Sequence, residues 1–326
     1  MKISVVICTR NRHETVEQAV ASVAQCRFTD FDIHIMDQST NDLTQKICDD
    51  LAARFSSKCP IVYHHLKKAG LSAAYNSGVG ASTAPIIAFT DDDVIVPADW
   101  LSEIEDVFKN DPDVNLLYGQ VLIPKELEKE VANGIIVPAL AFTEYETLSL
   151  KGRFKVFGMG ANMALRRSAM DLVQGFDEAL GGGGPLRSSQ DYDFAYRIYR
   201  FGGVIALAPK VKVDHYGTRT QEQWPDTMKN YGIGDGAFYA KHMRCGDRLA
   251  YWLFTKNLVI SRLREIKRFF KSRKWQNDPY GRHLLVGYRE SKAFDIDSKY
   301  RLYQETARGK MTETESNIVT STRRSP

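Results

Sequence analysis

Cysteine is scarce and unpatterned in this chain. Cys8, Cys26, Cys48, Cys59 and Cys245 are odd in number, scattered, and form no Cys-x-x-Cys pair. Neither a disulfide framework nor a zinc site is indicated, and a reduced, cytoplasmic setting fits them best. Long apolar runs are also lacking. No stretch approaches the ~18 uninterrupted apolar residues of a spanning helix, and the nearest to one, 249–260, is short and carries Lys256. No signal peptide is expected, because Met1 and Lys2 lead directly into a strand-like run. Net charge is small: 44 Lys and Arg against 40 Asp and Glu leave +4 over 326 residues. That is too little to argue for a nucleic-acid partner. Internal repeats are missing as well. With 43% hydrophobic and 26% charged residues the composition is that of a globular protein, which excludes a mostly disordered, collagen-like or coiled-coil chain. The length predicts about two domains, or one with a large extension.

What the chain does have is alternation. Ile3–Cys8 is a nearly continuous apolar run, as a strand buried on both faces should be. Val16, Ala19, Val20 and Val23 follow at helical spacing. Phe31–Met36 reads as a second strand, and Leu43, Ile47, Leu51 and Phe55 as a second helix. Ile61–His65 is a third strand, Leu71–Val79 a short helix, Ile86–Phe89 a fourth strand, and Leu101, Ile104 and Phe108 mark another helix. This order predicts an α/β fold: a Rossmann-like, mostly parallel sheet with helices on both faces. Further on, Val114–Ile123 reads as one long strand and Gly181–Gly184 as a loop. Tyr192–Phe201 reads as a helix, and Val204–Leu207 and Val211–Val213 as two strands broken by Pro209. From Trp224 the pattern is helical. The expected organisation is two halves of one domain, 1–115 and 116–222, a basic helical C-terminal extension over 223–305, and a disordered tail over 306–326 rich in Ser and Thr.

In an open parallel sheet, ligands bind outside the carboxyl ends of the strands. The first strand ends in Thr9-Arg10-Asn11-Arg12, the second in Asp37, and the fourth in Thr90-Asp91-Asp92-Asp93. Asp37 alone could equally begin a turn or cap the following helix. Three consecutive carboxylates after a buried strand repel one another unless a cation sits among them. Mg²⁺ or Mn²⁺ would take one or two of their oxygens together with substrate phosphate oxygens. The alternative is a solvated acidic turn capping the next helix.

These segments resemble glycosyltransferase family 2, the inverting nucleotide-sugar transferases of the GT-A fold. The resemblance rests on the three strand ends just named, on Lys68-Ala69-Gly70-Leu71-Ser72 with Asn76-Ser77-Gly78, on Gly158 to Ser168, on Gly175-Phe176-Asp177-Glu178, on Ser189-Gln190-Asp191-Tyr192-Asp193 and on Val213-Asp214-His215, in that order over residues 1–240. One departure is Gln190, where the family commonly has Glu. The resemblance implies that Thr9, Asn11 and Asp37 hold the nucleoside. It extends the donor site to Arg10, Arg12, Lys68, Gly70, Asn76, Asp91 and Asp92, with Arg10, Arg12 or Lys68 assisting the diphosphate. Asp91, Asp93 and His215 would hold Mn²⁺ or Mg²⁺, Gly160, Asn162 and Gln190 would line the acceptor, and Asp191 would be the general base. Asp191 stands at the start of a predicted helix, whose dipole is expected to keep it ionised. Its Ser-x-x-Asp spacing from Ser188 also fits a mere capping box. Asp193, the second choice of base, is expected to be solvated or paired with Arg197. Gly181–Gly184 would be an acceptor-side flap.

One base without a second carboxylate nucleophile implies a single displacement. The expected activity is transfer of a sugar from a nucleoside-diphosphate donor to a hydroxyl of a glycan or lipid-linked glycan. A nucleotidyltransferase using the same acidic site, and a catalytically silent sugar-nucleotide-binding scaffold, are the alternatives. Charge is lopsided in one place only: residues 241–274 carry eleven Lys and Arg against Asp247 and Glu265, or +9. Within it Val259, Leu263, Ile266 and Phe270 form one helical stripe. Either this stripe packs on the catalytic domain, or 241–275 lies peripherally on an anionic membrane, at its inner face, where lipid-linked acceptors reside.

Overall fold

The structure, a computed structural model, describes residues 1–150, 158–275 and 277–305. The expected disordered tail, 306–326, lies outside the described residues. The chain divides into two compact units. One comprises Met1–Gly184 and Ser189–Thr227; the other comprises Pro185–Ser188 and the described residues from Met228 onward.

The first unit opens with the predicted alternation: β1 (Ile3–Thr9), α1 (His13–Ala24), β2 (Phe31–Asp37), α2 (Leu43–Arg54), β3 (Ile61–His65), α3 (Leu71–Ala81) and β4 (Ile86–Asp91). A two-residue strand β5 (Val94–Ile95), α4 (Trp100–Asn110), β6 (Val114–Leu122), α5 (Glu128–Ala132) and β7 (Glu146–Leu148) follow. The unit continues with β8 (Asn162–Arg166), α6 (Ser168–Val173), α7 (Gln190–Arg200) and β9 (Val204–His215). The strands form one sheet in the order β3-β2-β1-β4-β8-β6-β9-β5, with β7 paired to β9. β1 runs parallel to β2 and β4, β2 to β3, and β6 to β9; β8 is antiparallel to both β4 and β6. β1 is apolar throughout because it is central: Ile3, Val5, Val6 and Ile7 have no exposed surface. On one face Val16, Val20 and Val23 of α1 and Leu101, Ile104 and Phe108 of α4 close the core over Val5, Ile33 and Ala88.

The expected break at Pro209 does not occur. β9 is continuous, and its register against β6 jumps between Gly119 and Gln120, from Ala208 to Lys212. A bulge therefore takes up the residue that has no backbone N–H to give to the ladder.

The second unit contains most of α8 (Trp224–Arg244), together with α9 (Arg248–Ser272), α10 (Pro279–Glu290) and a hairpin of β10 (Phe294–Asp297) and β11 (Leu302–Glu305). The helical pattern from Trp224 did not signal that hairpin; its strands are only four residues long. α8 and α10 approach at backbone distance. A Cβ on Gly236 would lie 2.0 Å from the Leu284 carbonyl oxygen, and one on Gly287 1.9 Å from that of Ile233.

Candidate active site

Register brings the polar strand ends together. Thr9 pairs with Asp37 and Cys8 with Asp91, so β1, β2 and β4 deliver their last residues to one edge of the sheet. After β4 the chain turns through Asp92 and Asp93 into β5, which pairs antiparallel with the end of β9, Val94 opposite His215. The Tyr216 N–H donates to the Asp93 carbonyl at 2.8 Å and locks that junction. A histidine more than a hundred residues away in sequence is thereby set against the acidic turn. One ligand atom each from Asp91, Asp93 and His215 lie within 4.8 Å of one another.

The charges in this turn are not equivalent. Asp93 is buried, which acts to raise its pKa, but its contacts with His215 and Arg12 outweigh burial and hold it well below the usual carboxylate range. Asp91 is pushed up to about 7, by burial first and then by Asp93. Asp92 is pushed up to about 6 by burial, against the opposing pull of Arg12 and of the Thr9 hydroxyl. Arg12 bridges Asp92 at 2.8 Å and also pairs with Asp93. It thus supplies the positive charge that three adjacent carboxylates require. His215 keeps its Nδ1 2.8 Å from the Pro138 carbonyl oxygen. Its Nε2 faces Asp93 at 3.4 Å, and this partnership raises its pKa despite burial.

The residues fit a divalent cation. Two carboxylates and an imidazole nitrogen make a mixed oxygen and nitrogen donor set. The space beside them is kept open by Gly217: a Cβ there would sit 2.4 Å from Asp93 Oδ2 and 2.7 Å from His215 Nε2. The sequence reading did not single out Gly217, and a lone glycine two residues after a histidine gives no signal without its neighbours.

Asp191 lies on the second residue of α7. The capping box does not form. Ser189 is the helix N-cap, in the left-handed region at φ 71°, and the Asp191 carboxylate accepts from the backbone N–H of Gly160 at 2.9 Å and of Tyr192 at 2.8 Å. The Tyr118 hydroxyl donates to its carbonyl oxygen at 2.9 Å. Burial raises the pKa of Asp191 above the ordinary value, and the two N–H groups only partly offset this. Burial and the helix-terminal N–H groups thus act on Asp191 in opposite directions, with burial the larger effect. Asp191 is close enough to Asp91 to add to the rise of the Asp91 pKa. Tyr75 points at the same place. A Cβ on Gly160 would lie 3.1 Å from the Tyr75 hydroxyl and 3.5 Å from Asp191 Oδ2. That hydroxyl is buried and has no hydrogen-bond partner among the described residues. Tyr75 was not anticipated either, since a tyrosine in an apolar helix reads as core.

Asp193 is not solvated. It forms a fully buried pair with Arg197 at 2.8 Å, and Arg197 also donates to the carbonyls of Val173 and Gly175.

Other expected residues are placed differently. Asn162 is fully buried in the core, not at an acceptor surface. Its Nδ2 donates to the carbonyls of Gln120 and Val211, and its Oδ1 accepts from Trp100 Nε1. Asn76 spends its amide holding the loop after α6, donating to the Phe176 carbonyl and Glu178 and accepting from the Phe176 N–H. Lys68 pairs with Glu178, and Gly70 supplies the positive φ of 124° before α3. The Gly181–Gly184 loop is tied to the start of α3: the Leu71 N–H donates to the Gly182 carbonyl at 2.8 Å, and Ser72 to that of Leu180 at 2.7 Å. Asn11 takes φ 56° and joins the first two loops: its N–H donates to Ser39, and its Oδ1 accepts from the Thr40 N–H. Asp37 is buried, with one oxygen accepting from the Ser39 N–H and the other from the Tyr63 hydroxyl at 2.9 Å. Each oxygen keeps a second lone pair for a ligand. Arg10 stands beside Gly183, and Gln190 beside Gly181.

Relatives carry the same architecture. The chain is 26% identical over 242 residues to a pre-mycofactocin glycosyltransferase of Mycobacterium tuberculosis, covering 74% of this chain and 48% of that protein. It is 24% identical over 237 residues to a glucosyl-dolichyl phosphate glucuronosyltransferase of Haloferax volcanii, covering 69% of this chain and 72% of that protein. The chain thus spans about half the length of the mycobacterial relative. Among solved structures it is similar to a mannosyltransferase of Pyrobaculum calidifontis in complex with GDP-Man and Mn²⁺, with TM-score 0.56, 13% identity, and coverage of 100% of this chain and 76% of that one. It is also similar to Staphylococcus aureus TarS 1-349 in complex with UDP-GlcNAc, with TM-score 0.55, 15% identity, and coverage of 91% and 95%. These likenesses give the fold as GT-A. Residues 4–173, more than half of the chain, match the family described as Glycosyl transferase family 2. The protein belongs to that family.

Proposed function

We propose that the chain is an inverting, divalent-metal-dependent glycosyltransferase, which moves a sugar from a nucleoside-diphosphate donor to a hydroxyl of a glycan or lipid-linked glycan. The observation that carries this reading is the placement of two kinds of acid at one sheet edge: a cation-binding Asp91, Asp93 and His215 cluster, and, within electrostatic reach of it, a separate buried carboxylate, Asp191. The donor complexes of the Pyrobaculum mannosyltransferase and of TarS support it. Mn²⁺ or Mg²⁺ bound by Asp91, Asp93 and His215 would stabilise the charge that develops on the leaving diphosphate. Arg12, already aimed at Asp92 and Asp93, is positioned to turn to the phosphates. Thr9, Asn11 and Asp37 take the nucleoside.

The acceptor hydroxyl oxygen bonds to the anomeric carbon while that carbon's bond to the phosphate oxygen breaks. The electron pair leaves with the diphosphate, and the hydroxyl proton goes to Asp191. Burial suits Asp191 to this task, because it raises the carboxylate's basicity. A single displacement inverts the anomeric centre. We assign 1–115 to the donor half, 116–222 to the acceptor and catalytic half, and 223–305 to a basic extension. The five free cysteines support a cytoplasmic setting.

The test is thermal stabilisation by UDP, GDP, dTDP, ADP and CDP, each with Mn²⁺, with Mg²⁺ and with EDTA. A ligand that binds only the folded chain raises its melting temperature by mass action. One nucleotide should do so in a metal-dependent way. No shift with any of them would sink the proposal.

A further inference from the structure

α9 presents the wrong face to water for a solvated helix. At 3.6 residues per turn, its buried residues Ala250, Leu253, Ser261 and Glu265 fall on one side. Diametrically opposite, Trp252, Val259, Leu263, Ile266 and Phe270 fall within about 60° of one another. All five are exposed, with Trp252 at 58%, Leu263 at 57% and Phe270 at 68%. An exposed apolar line of this length, broken only at the turn of Thr255 and Lys256, is not normal solvated surface. The helix cannot cross a bilayer: no described helix is long and apolar enough. Lys256, Arg262 and Lys267 flank the apolar line within about 70° of its centre, whereas Arg264 and Arg268 turn to the opposite side, 3.9 and 3.5 Å from Asp278. From Arg248 to Trp275 the chain carries nine Lys and Arg against one acid, Glu265, which is buried and paired with Arg262 at 2.7 Å. The Lys256 ammonium stands 5.0 Å over the Trp252 ring, so cation and aromatic occupy one level of the surface.

We infer that α9 lies in the interface of an anionic lipid bilayer, its Trp252–Phe270 line buried among the acyl chains and its Lys and Arg flanks on the headgroups. Charge selects this occupant. A second copy of the chain would bring nine cations against nine, with a single acid on each side. A nucleic acid would satisfy the cations but leave Trp252, Leu263 and Phe270 in water, since its backbone offers phosphates and not an apolar surface. An anionic bilayer satisfies both parts of the face at once. This inference stands on α9 alone and does not depend on the chemistry proposed above.

The experiment is vesicle co-sedimentation of the full chain, with phosphatidylcholine vesicles and with vesicles that also contain phosphatidylglycerol. The wild type should bind the anionic vesicles, and about ten-fold or more weakly the neutral ones or the anionic ones in high salt. Leu263→Glu with Phe270→Glu should reduce binding at least about a hundred-fold. Because both residues are exposed, its melting temperature should match the wild type. Lys256→Gln and Lys267→Gln together should cost about thirty-fold on anionic vesicles and nothing on neutral ones. Three results would overturn the inference: no wild-type binding to anionic vesicles, equal binding by the Leu263→Glu/Phe270→Glu variant, or a dimer in analytical ultracentrifugation that this variant dissociates.

Discussion

Asp191→Asn is the substitution that separates chemistry from architecture. Two backbone N–H groups, of Gly160 at 2.9 Å and of Tyr192 at 2.8 Å, converge on the two carboxylate oxygens. Asparagine has one oxygen, so one N–H must face an amide NH₂. An unmet buried donor costs about 1–3 kcal/mol. Against this, the substitution removes a charge that burial already disfavours. The two effects oppose, and the variant should fold with a stability loss below about 2 kcal/mol. Loss of a general base costs about 10²–10⁴-fold in rate, or about 3–5 kcal/mol of barrier. The expected result is a folded protein with wild-type metal-dependent nucleotide binding, read by thermal shift, and transfer reduced by that factor at saturating acceptor. Asp193→Asn is the control. It strands Arg197, which is fully buried, and should cost about 3–5 kcal/mol in urea unfolding while the folded fraction keeps its turnover. Transfer by Asp191→Asn within about ten-fold of wild type would refute the base assignment. So would parallel loss of nucleotide binding.

Three further outcomes are expected. Gly217→Ala places a methyl between Asp93 and His215 and should abolish stabilisation by Mn²⁺ while leaving the melting temperature without metal within a few degrees of wild type; an intact Mn²⁺ response would remove the cluster as a cation site. Tyr75→Phe deletes a buried hydroxyl that has no partner among the described residues, so the free protein should be as stable or more so. If that hydroxyl meets substrate, kcat/KM should fall while stability does not, and unchanged kinetics would make Tyr75 a core residue only. Asp32 receives hydrogen bonds from His34, Lys2 and Ser4, which outweigh burial and hold its pKa below the ordinary value. The folded state therefore binds fewer protons than the unfolded one, and the resulting stability is present above about pH 4 and lost as pH falls. Asp32→Asn should be less stable than wild type at neutral pH, with the gap closing in acid; a gap independent of pH would show that packing, not charge, holds this site.

The sheet was legible because its central strands, β1, β2 and β4, are buried on both faces. Ile3–Cys8 and Ile86–Phe89 have few polar residues to confuse the reading, and each was extended by only one or two residues, to Thr9 and Asp91. Those extra residues are the polar ones at the strand ends, where pairing continues after hydrophobicity stops. Pro209 misled for a related reason. Its effect depends on whether the strand can bulge against its partner: here residues 209–211 of β9 fall between Gly119 and Gln120 of β6, which only the pairing shows. The β10–β11 hairpin escaped because a four-residue strand carries too little alternation to be read.

At the site, the same distinction explains which residues could be read. Carboxylates in a run, such as Asp91–Asp93, announce themselves because their mutual repulsion is a local fact. Whether an amide is functional or structural is not local. Asn162 and Asn76 share the resemblance with Asp191, yet both amides are consumed by carbonyls brought from other elements. Gly217 and Tyr75 show the reverse case. Their contribution is an open space and an unpartnered hydroxyl, which exist only once β9 is laid against β5 and α3 against the sheet. A family pattern therefore marks positions where the fold cannot tolerate change, and only hydrogen-bond accounting at each position separates residues that build the site from residues left free to use it.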